Sequence, residues 1–405
     1  MNVPYQIGDP LPEPIWQKVK LRTVFECCKW DIQSEDHCVL AEFPLLLAES
    51  SWQEIRAIAE ALGRELASAE RELLGRRDLQ IKLGLPKALR EEFGRLAEPT
   101  PGIARVMRFD FHFTEEGWRI SEVNADVPGG FIEASGFTQL MAAHYPGTFA
   151  PTDPAGTYAR RLATELGRNA AVGLVHATAY SDDRQVMQFL GKRMQDHGLR
   201  PILASPAHIY WDEGGARIAS SFADSRLDAM VRFFPSEWLP TLRAKSQWTP
   251  FFSEGRTQVS NPASAVLVQS KRFPLAWDSL ATDLRTWRTI LPETVCPSTV
   301  GELGDWVVKP ALGRVGADIA IPGVTPEREM QLIHKAAKRR PFQWVAQRKF
   351  TVVPVRDKKQ NYFPSIGVFT IDGAAAGVYA RVGRKPLIDD EAQDIAVLIT
   401  GGGKA

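Results

Sequence analysis

Arg108-Phe109-Asp110-Phe111-His112-Phe113, then Thr114 to Gly117, then Trp118-Arg119-Ile120-Ser121-Glu122-Val123-Asn124 is the stretch whose pattern is clearest in this 405-residue chain. Both arms alternate polar with apolar residues, the period of a β-strand. Glu115-Glu116-Gly117 between them fits a three-residue hairpin loop with glycine at the left-handed position. That register sets Asp110 opposite Glu122 and Arg108 opposite Asn124. Opposed Cβ atoms on one face lie roughly 4.5–5.5 Å apart, so two carboxylates meet there and repel unless a cation lies between them. An Asp, a Glu and an Asn amide oxygen form a hard oxygen set, which suits Mg²⁺ shared with nucleotide phosphates. A solvated surface hairpin whose acids pair with Arg108 and Arg119 would show the same spacing, and spacing alone leaves both readings open. Beyond Asn124 the chain enters a tight loop, Ala125-Asp126-Val127-Pro128-Gly129-Gly130, and Glu133 opens a helix. Loops at the carboxyl end of a strand are common ligand positions.

Four downstream segments carry charges or glycines at strand ends. Trp306-Val307-Val308-Lys309-Pro310 is a short strand ending in a lysine, followed by the glycine-containing loop Ala311-Leu312-Gly313-Arg314-Val315-Gly316. Such a loop lets backbone N–H groups approach phosphate, and a lysine supplies a compact positive charge. The loop is not GxxxxGK[ST], so a P-loop is excluded. Gln269-Ser270-Lys271-Arg272 adds a second lysine, Trp344-Val345-Ala346-Gln347 ends in an amide, and Gly377-Val378-Tyr379-Ala380-Arg381 ends in an arginine. Each is ordinary alone. Together they suit ATP–Mg²⁺.

Upstream, Ile55, Ile58, Leu62, Leu66, Ala69 and Leu73 recur at helical spacing, with Ser51 and Glu54 in capping-box positions and Gly75 as a stop. From 171 to 235 strands and a helix alternate: Ala171–His176, helix Asp183–His197, Pro201–Ala204, a Tyr210–Ile218 hairpin turning at Gly214–Gly215, and Asp228–Phe234. This is a βαβ layer with parallel strands and no GxGxxG after its first strand. The last hundred residues are richer in strands: Trp306–Lys309, Ile319–Ile321, Trp344–Phe350, Ser365–Ile371 and Ala374–Arg381, with one helix over Pro326–Arg339 and a hairpin turn at Asp372–Gly373. The class is α/β or α+β.

Composition narrows the field. A formal charge of +1 gives no basic excess for gripping nucleic acid. Cys27, Cys28, Cys38 and Cys296 lack zinc or disulfide spacing and read as ordinary thiols. No apolar run approaches the roughly 18 residues of a membrane span, and the proline-rich start has no signal-peptide core. The expectation is a cytoplasmic protein with no membrane and no nucleic-acid partner. His112 shares a face with Asp110 and reads as a satisfied structural histidine or as support for the site.

The set resembles the glutathionylspermidine synthase and synthase-like family of ATP-grasp ligases, over about Leu83 to Ile399. Family segments near "RFDF…EyNADTP…E", "snK…plLW", "kKP..gREG" and "aGigiR" resemble Arg108–Phe111 with Glu122–Pro128 and Glu133, Gln269–Lys271 through Leu275-Ala276-Trp277, Val308–Pro310 through Gly313–Gly316, and Ala376–Arg381, in that order. The resemblance implies an ATP-grasp-like α+β fold with permuted motif order. Its parts would be an N-terminal helical region (1–105), the metal-binding hairpin with flanking elements (106–165), a Rossmann-like pre-ATP-grasp layer (166–245), and the nucleotide-binding region with its lid (246–405).

The resemblance also implies roles. Asp110, Glu122 and Asn124 would hold Mg²⁺. Lys271 and Lys309 would contact ATP phosphates, Gly313–Gly316 would close over the nucleotide, and Gln347 would lie near the adenine. Arg108 and Arg381 would stabilise the phosphorylated intermediate. The implied activity is an ADP-forming carboxylate–amine ligase joining an acid, glutathione or peptide-like, to an amine through an acyl-phosphate. The alternatives are a ligase for another peptide or amino-acid substrate and a nucleotide-binding regulatory protein without ligase activity. Two positions depart from the family: Val127 stands for its threonine and Val315 for its glutamate. The room before Asp110 is too short for the amidase domain of bifunctional relatives, so no amidase activity is expected.

Overall fold

The computed structural model describes residues 3–34, 37–95, 102–213, 215–220, 223–243, 246–252, 256–313, 316, 318–356 and 360–401. An antiparallel sheet forms the centre, in the order Gln393–Ile395, Ala374–Gly383, Asn361–Ile371, Val106–Thr114, Gly117–Asn124. Its two longest strands are joined at Asp372-Gly373, where φ values of 49° and 82° make the left-handed turn that suits a two-residue hairpin. The helix Glu49–Leu74 lays Ile55, Ala59, Leu62, Leu66, Ala69 and Leu73 into the main core beside this sheet. Fully burying each leucine or isoleucine is worth about 1.5–3 kcal/mol, so the apolar stripe anchors the helix without help from a cap.

That helix starts earlier than the capping-box pattern implied. The strand Leu45–Ala48 runs straight into it, Ala48 is the N-cap, and no side chain caps it. Ser51 and Glu54 lie inside the first turns, and Glu54 accepts a hydrogen bond from the Trp118 indole at 3.2 Å. Gly75 closes the helix as expected.

A four-stranded parallel sheet, ordered Gln258–Ser260, Ala229–Phe233, Ala171–His176, Arg200–Ala204, forms a second layer with helices Pro154–Leu166 and Ser181–Asp196. Three of its strands agree with the sequence expectations to within a residue or two, while Gln258–Ser260 was not expected; the hairpin glycine Gly214 lies outside the described residues. A smaller antiparallel sheet, Thr294–Val295, Trp344–Arg348 and Trp306–Pro310, packs with helix Glu327–Arg339 over its own apolar cluster. The expected strand Ile319–Ile321 is reduced to one bridge, Val308 to Ala320. The central strand of that sheet stops at Arg348, short of Phe350. The chain's two ends meet in one sheet, where Val397–Thr400 pairs in parallel with Leu45–Ala48. No helix among the described residues is long and apolar enough to cross a membrane.

Candidate active site

The hairpin Val106–Thr114/Gly117–Asn124 has the expected pairs, Asp110 with Glu122 and Arg108 with Asn124, but reaches them by a different route. The turn is tighter than a three-residue loop: Thr114 pairs with Gly117, whose φ of 89° suits glycine alone. A bulge then adds Ser121 between the partners of Asp110 and Phe111, restoring the register. Bulges re-aim side chains beside active sites. Here the bulge lets the Ser121 carbonyl accept from Lys309 Nζ at 3.2 Å and its hydroxyl meet His112 Nε2 at 3.1 Å.

Three remote segments converge on this hairpin. Arg108 grips Asp110 with two bonds of 2.7 and 2.9 Å, and the Asn124 amide nitrogen donates to Asp110 at 3.0 Å. Lys271 Nζ lies 2.9 Å from Glu122 Oε2 and donates to the Gly313 carbonyl at 2.7 Å. Lys309 Nζ donates to Gln347 Oε1 at 2.7 Å, and the Gln347 amide nitrogen donates to Thr294 at 3.2 Å. Gly316, with φ 70°, faces the Ile388 carbonyl; Arg314 and Val315 lie outside the described residues. Arg381 is turned toward the edge strand Gln393–Ile395 and the segment before it instead. It donates to the Asp389 and Ala392 carbonyls at 2.8 and 2.9 Å, and its Nε lies 3.6 Å from Asp394.

Burial sets the electrostatics. It pushes Lys309 down to about 8, helped by the like charge of Lys271 and opposed by Glu122. Burial would raise Glu122, but Lys271 and Lys309 outweigh it and hold the carboxylate ionised at about 2. Burial raises Asp110 above the ordinary carboxylate value, against the pull of Arg108. His112 is driven to about 4 by burial and then by Lys309, so it is neutral at physiological pH. Two carboxylates therefore face three cations, an excess of positive charge suited to phosphate.

The donors are hard oxygens with no sulfur among them, the chemistry that suits Mg²⁺. Among the described residues no group of three His, Cys, Asp or Glu side chains is placed to hold a metal; this set reaches three donors only through Asn124, whose amide nitrogen faces Asp110 and leaves its carbonyl oxygen for a cation. On that donor chemistry the residues fit the ion.

Several residues inside the quoted segments, and Lys29 outside them, build the site without a role assigned from the sequence. The Gln269 side-chain oxygen accepts from the N–H groups of Ala125 and Asp126 at 2.6 and 3.0 Å, fixing the loop after Asn124. The Tyr379 ring lies under the Arg108 guanidinium, 4.9 Å from its centroid. Gly130, at φ 94°, makes room for that ring, since a Cβ there would come within 2.8 Å of it. Lys29 enters from the N-terminal segment to meet Glu133 and Asp394. Asp126, part of the quoted motif, faces away from the hairpin and pairs with Arg232. Val127 packs half-buried against an apolar cluster.

The α+β architecture is that of an ATP-grasp-like fold. Residues 29–400 match the family described as "Glutathionylspermidine synthase preATP-grasp", and the chain belongs to that family. Among solved structures it is similar to a protein assigned as gamma-glutamylcysteine synthetase from Methylobacillus flagellatus KT (11% identity, TM-score 0.47, covering 79% of this chain and 86% of that one). It is also similar to D-alanyl-alanine synthetase A from Vibrio cholerae O1 (12% identity, TM-score 0.31, covering 57% and 89%). No curated protein matches the chain.

Proposed function

We propose that the protein is an ATP- and Mg²⁺-dependent, ADP-forming ligase that joins a carboxylic acid to an amine. The observation that carries this reading is the meeting of Asp110 and Glu122, a register pair, with Lys271 at 2.9 Å and Lys309 beside it, delivered from segments some 150 or more residues away. Family membership supports it.

A carboxylate is a poor acyl donor because oxide is a poor leaving group. Transfer of the ATP γ-phosphoryl group to the acid gives an acyl-phosphate and ADP; the amine then attacks the carbonyl carbon, the C–O bond to phosphate breaks, and the amine proton leaves to solvent or a base. Such transfer depends on positioning and charge neutralisation more than on covalent chemistry by the protein. Asp110, Glu122 and Asn124 would hold Mg²⁺, which when bound neutralises phosphate charge. Lys271 and Lys309, both beside Glu122, would add positive charge for the phosphate oxygens. Gln347 orients Lys309, and Gly313 ties the glycine loop to Lys271, so the loop that would cover the nucleotide also fixes a phosphate-binding lysine. Arg108, clamped by Asp110, by the Gly129 carbonyl at 2.7 Å and by the Tyr379 ring, is held rigidly enough to orient the acid and the charge that develops on it. Arg381, whose guanidinium meets the Asp389 and Ala392 carbonyls and lies near Asp394, would have to turn to assist. The acid is glutathione or another peptide-like molecule.

The test is ADP release from ATP–Mg²⁺ with pools of peptides and amines, followed by mass spectrometry of the product. An amide appearing in step with ADP is expected. Tight nucleotide binding without turnover over broad pools would overturn the ligase reading.

A further inference from the structure

His112 stands on the hairpin two residues beyond Asp110, and the proposed chemistry gives it no role. Its Nε2 lies 3.1 Å from the Ser121 hydroxyl, and its ring meets the Pro364 backbone. Proline has no N–H, so the ring must donate to the Pro364 carbonyl, and the neutral imidazole keeps one nitrogen as acceptor. These partners assign the tautomer: Nδ1 carries the proton, and Nε2 accepts from the Ser121 hydroxyl. Burial, and then the charge of Lys309, keep the ring neutral. The Phe350 ring lies against it, with centroids 5.5 Å apart.

Ser121 is the residue that the bulge adds, and it lies on the edge strand of the central sheet. A bulged residue drops out of the ladder, and an edge strand leaves carbonyls open. The Ser121 carbonyl is therefore available to Lys309 Nζ, 3.2 Å away. Gln347 Oε1 takes another N–H of the same ammonium at 2.7 Å, and Thr294 holds Gln347 in turn. An ammonium carries three N–H donors. Two fixed acceptors leave the third N–H one direction. A carbonyl turns with its peptide plane, so the bond that anchors the Ser121 side chain also restrains where its carbonyl points. Phe350 follows the strand that carries Gln347. One imidazole thus touches both segments that supply Lys309 with acceptors.

We propose that His112 is a positioning residue for Lys309: through the Ser121 hydroxyl it holds the bulge whose carbonyl, together with Gln347, aims the free N–H of the ammonium at the nucleotide phosphates. His112 touches neither nucleotide nor metal and acts through Ser121. A flexible lysine has much rotamer freedom to lose on meeting phosphate, and a lysine already held by two acceptors has less of that loss left to bear. The inference rests on the ligase reading of the hairpin.

The test measures ADP–Mg²⁺ affinity calorimetrically in wild type, Ser121→Ala, His112→Phe and His112→Gln, and repeats the first three in a Lys309→Met background. Phenylalanine keeps a ring against Phe350 and removes the acceptor; glutamine returns an amide oxygen for Ser121. Ser121→Ala and His112→Phe should each weaken ADP–Mg²⁺ by about fivefold, the scale of one hydrogen bond, and His112→Gln should stay close to wild type. In the Lys309→Met background neither change should weaken binding further, because the residue they position is gone. Wild-type affinity in both Ser121→Ala and His112→Phe overturns the proposal. So does the same loss with and without Lys309, which a merely structural histidine would give. Failure of wild type to bind ADP–Mg²⁺ overturns the ligase reading itself. Should His112→Phe not fold, Ser121→Ala, which removes one oxygen, carries the same comparison alone.

Discussion

Two arginine–aspartate pairs flank one short loop, Arg108 with Asp110 before it and Arg232 with Asp126 within it. The second pair is closed. Both side chains are fully buried, 0% exposed, and 2.5 Å apart. Arg232 also donates to the Phe234, Asn261 and Pro262 carbonyls, and Asp126 accepts from the Ser236 N–H and hydroxyl. These partners are all protein groups, so the pair ties the parallel sheet to the loop. The first pair is less closed, its side chains 13% and 11% exposed. Glu122 beside it keeps 30% of its side chain exposed and shares its charge with Lys271 and Lys309. A buried ion pair with no spare capacity is structure; the pair set among excess cations is the one the proposed chemistry uses.

The comparison breaks most sharply at Glu122. Glu122→Gln removes one charge and little volume, so ADP release should fall by roughly 10²–10³-fold or more, the scale of losing one transition-state stabilising group, while the protein stays folded with a lower thermal midpoint, since Lys271 and Lys309 lose their carboxylate. Wild-type turnover in that variant would remove the hairpin from the proposal. Arg232→Met should do the reverse. It strands the Asp126 carboxylate in the interior and should cost about 3–5 kcal/mol in denaturant unfolding, while the molecules that remain folded bind ADP with unchanged affinity. A loss of affinity without loss of stability would make the closed pair part of the site.

The smallest effect is one of pH. Lys309 is pushed down to about 8 in the fold, so the phosphate contact proposed for it should weaken as pH rises through that value. ADP affinity measured from pH 6.5 to 9.5 should decline above about 8, and Lys309→Met should flatten the decline. The stability linkage has the opposite sign. Between about 8 and the ordinary lysine value the unfolded chain binds the extra proton, so the cost of burying this ammonium is felt in full below about 8 and fades as pH rises above it.

Much of this was legible as pattern. The alternation of residues 108–124 sets two strands and the Asp110–Glu122 pair, the helical stripe from Ile55 to Leu73 sets a buried face, and Asp372-Gly373 sets a turn. The pair came out right although the loop did not: the turn is one residue shorter and the Ser121 bulge repays it, a compensation that period-two reasoning passes over. Glu54 fits a cap in the sequence and serves Trp118 in the fold, because a strand feeding directly into the helix moved its start.

The chain's own order of residues determined what depends on neighbours: strand period, helix face, turn chemistry, and which charges stand at strand ends. The tertiary structure alone decided which distant charges meet. Lys271 reaches Glu122, Lys29 reaches Glu133 and Asp394, and Arg232 reaches Asp126 across separations that no local period encodes. A buried charge must find its partner wherever packing brings one, and that is settled by the closure of the whole core.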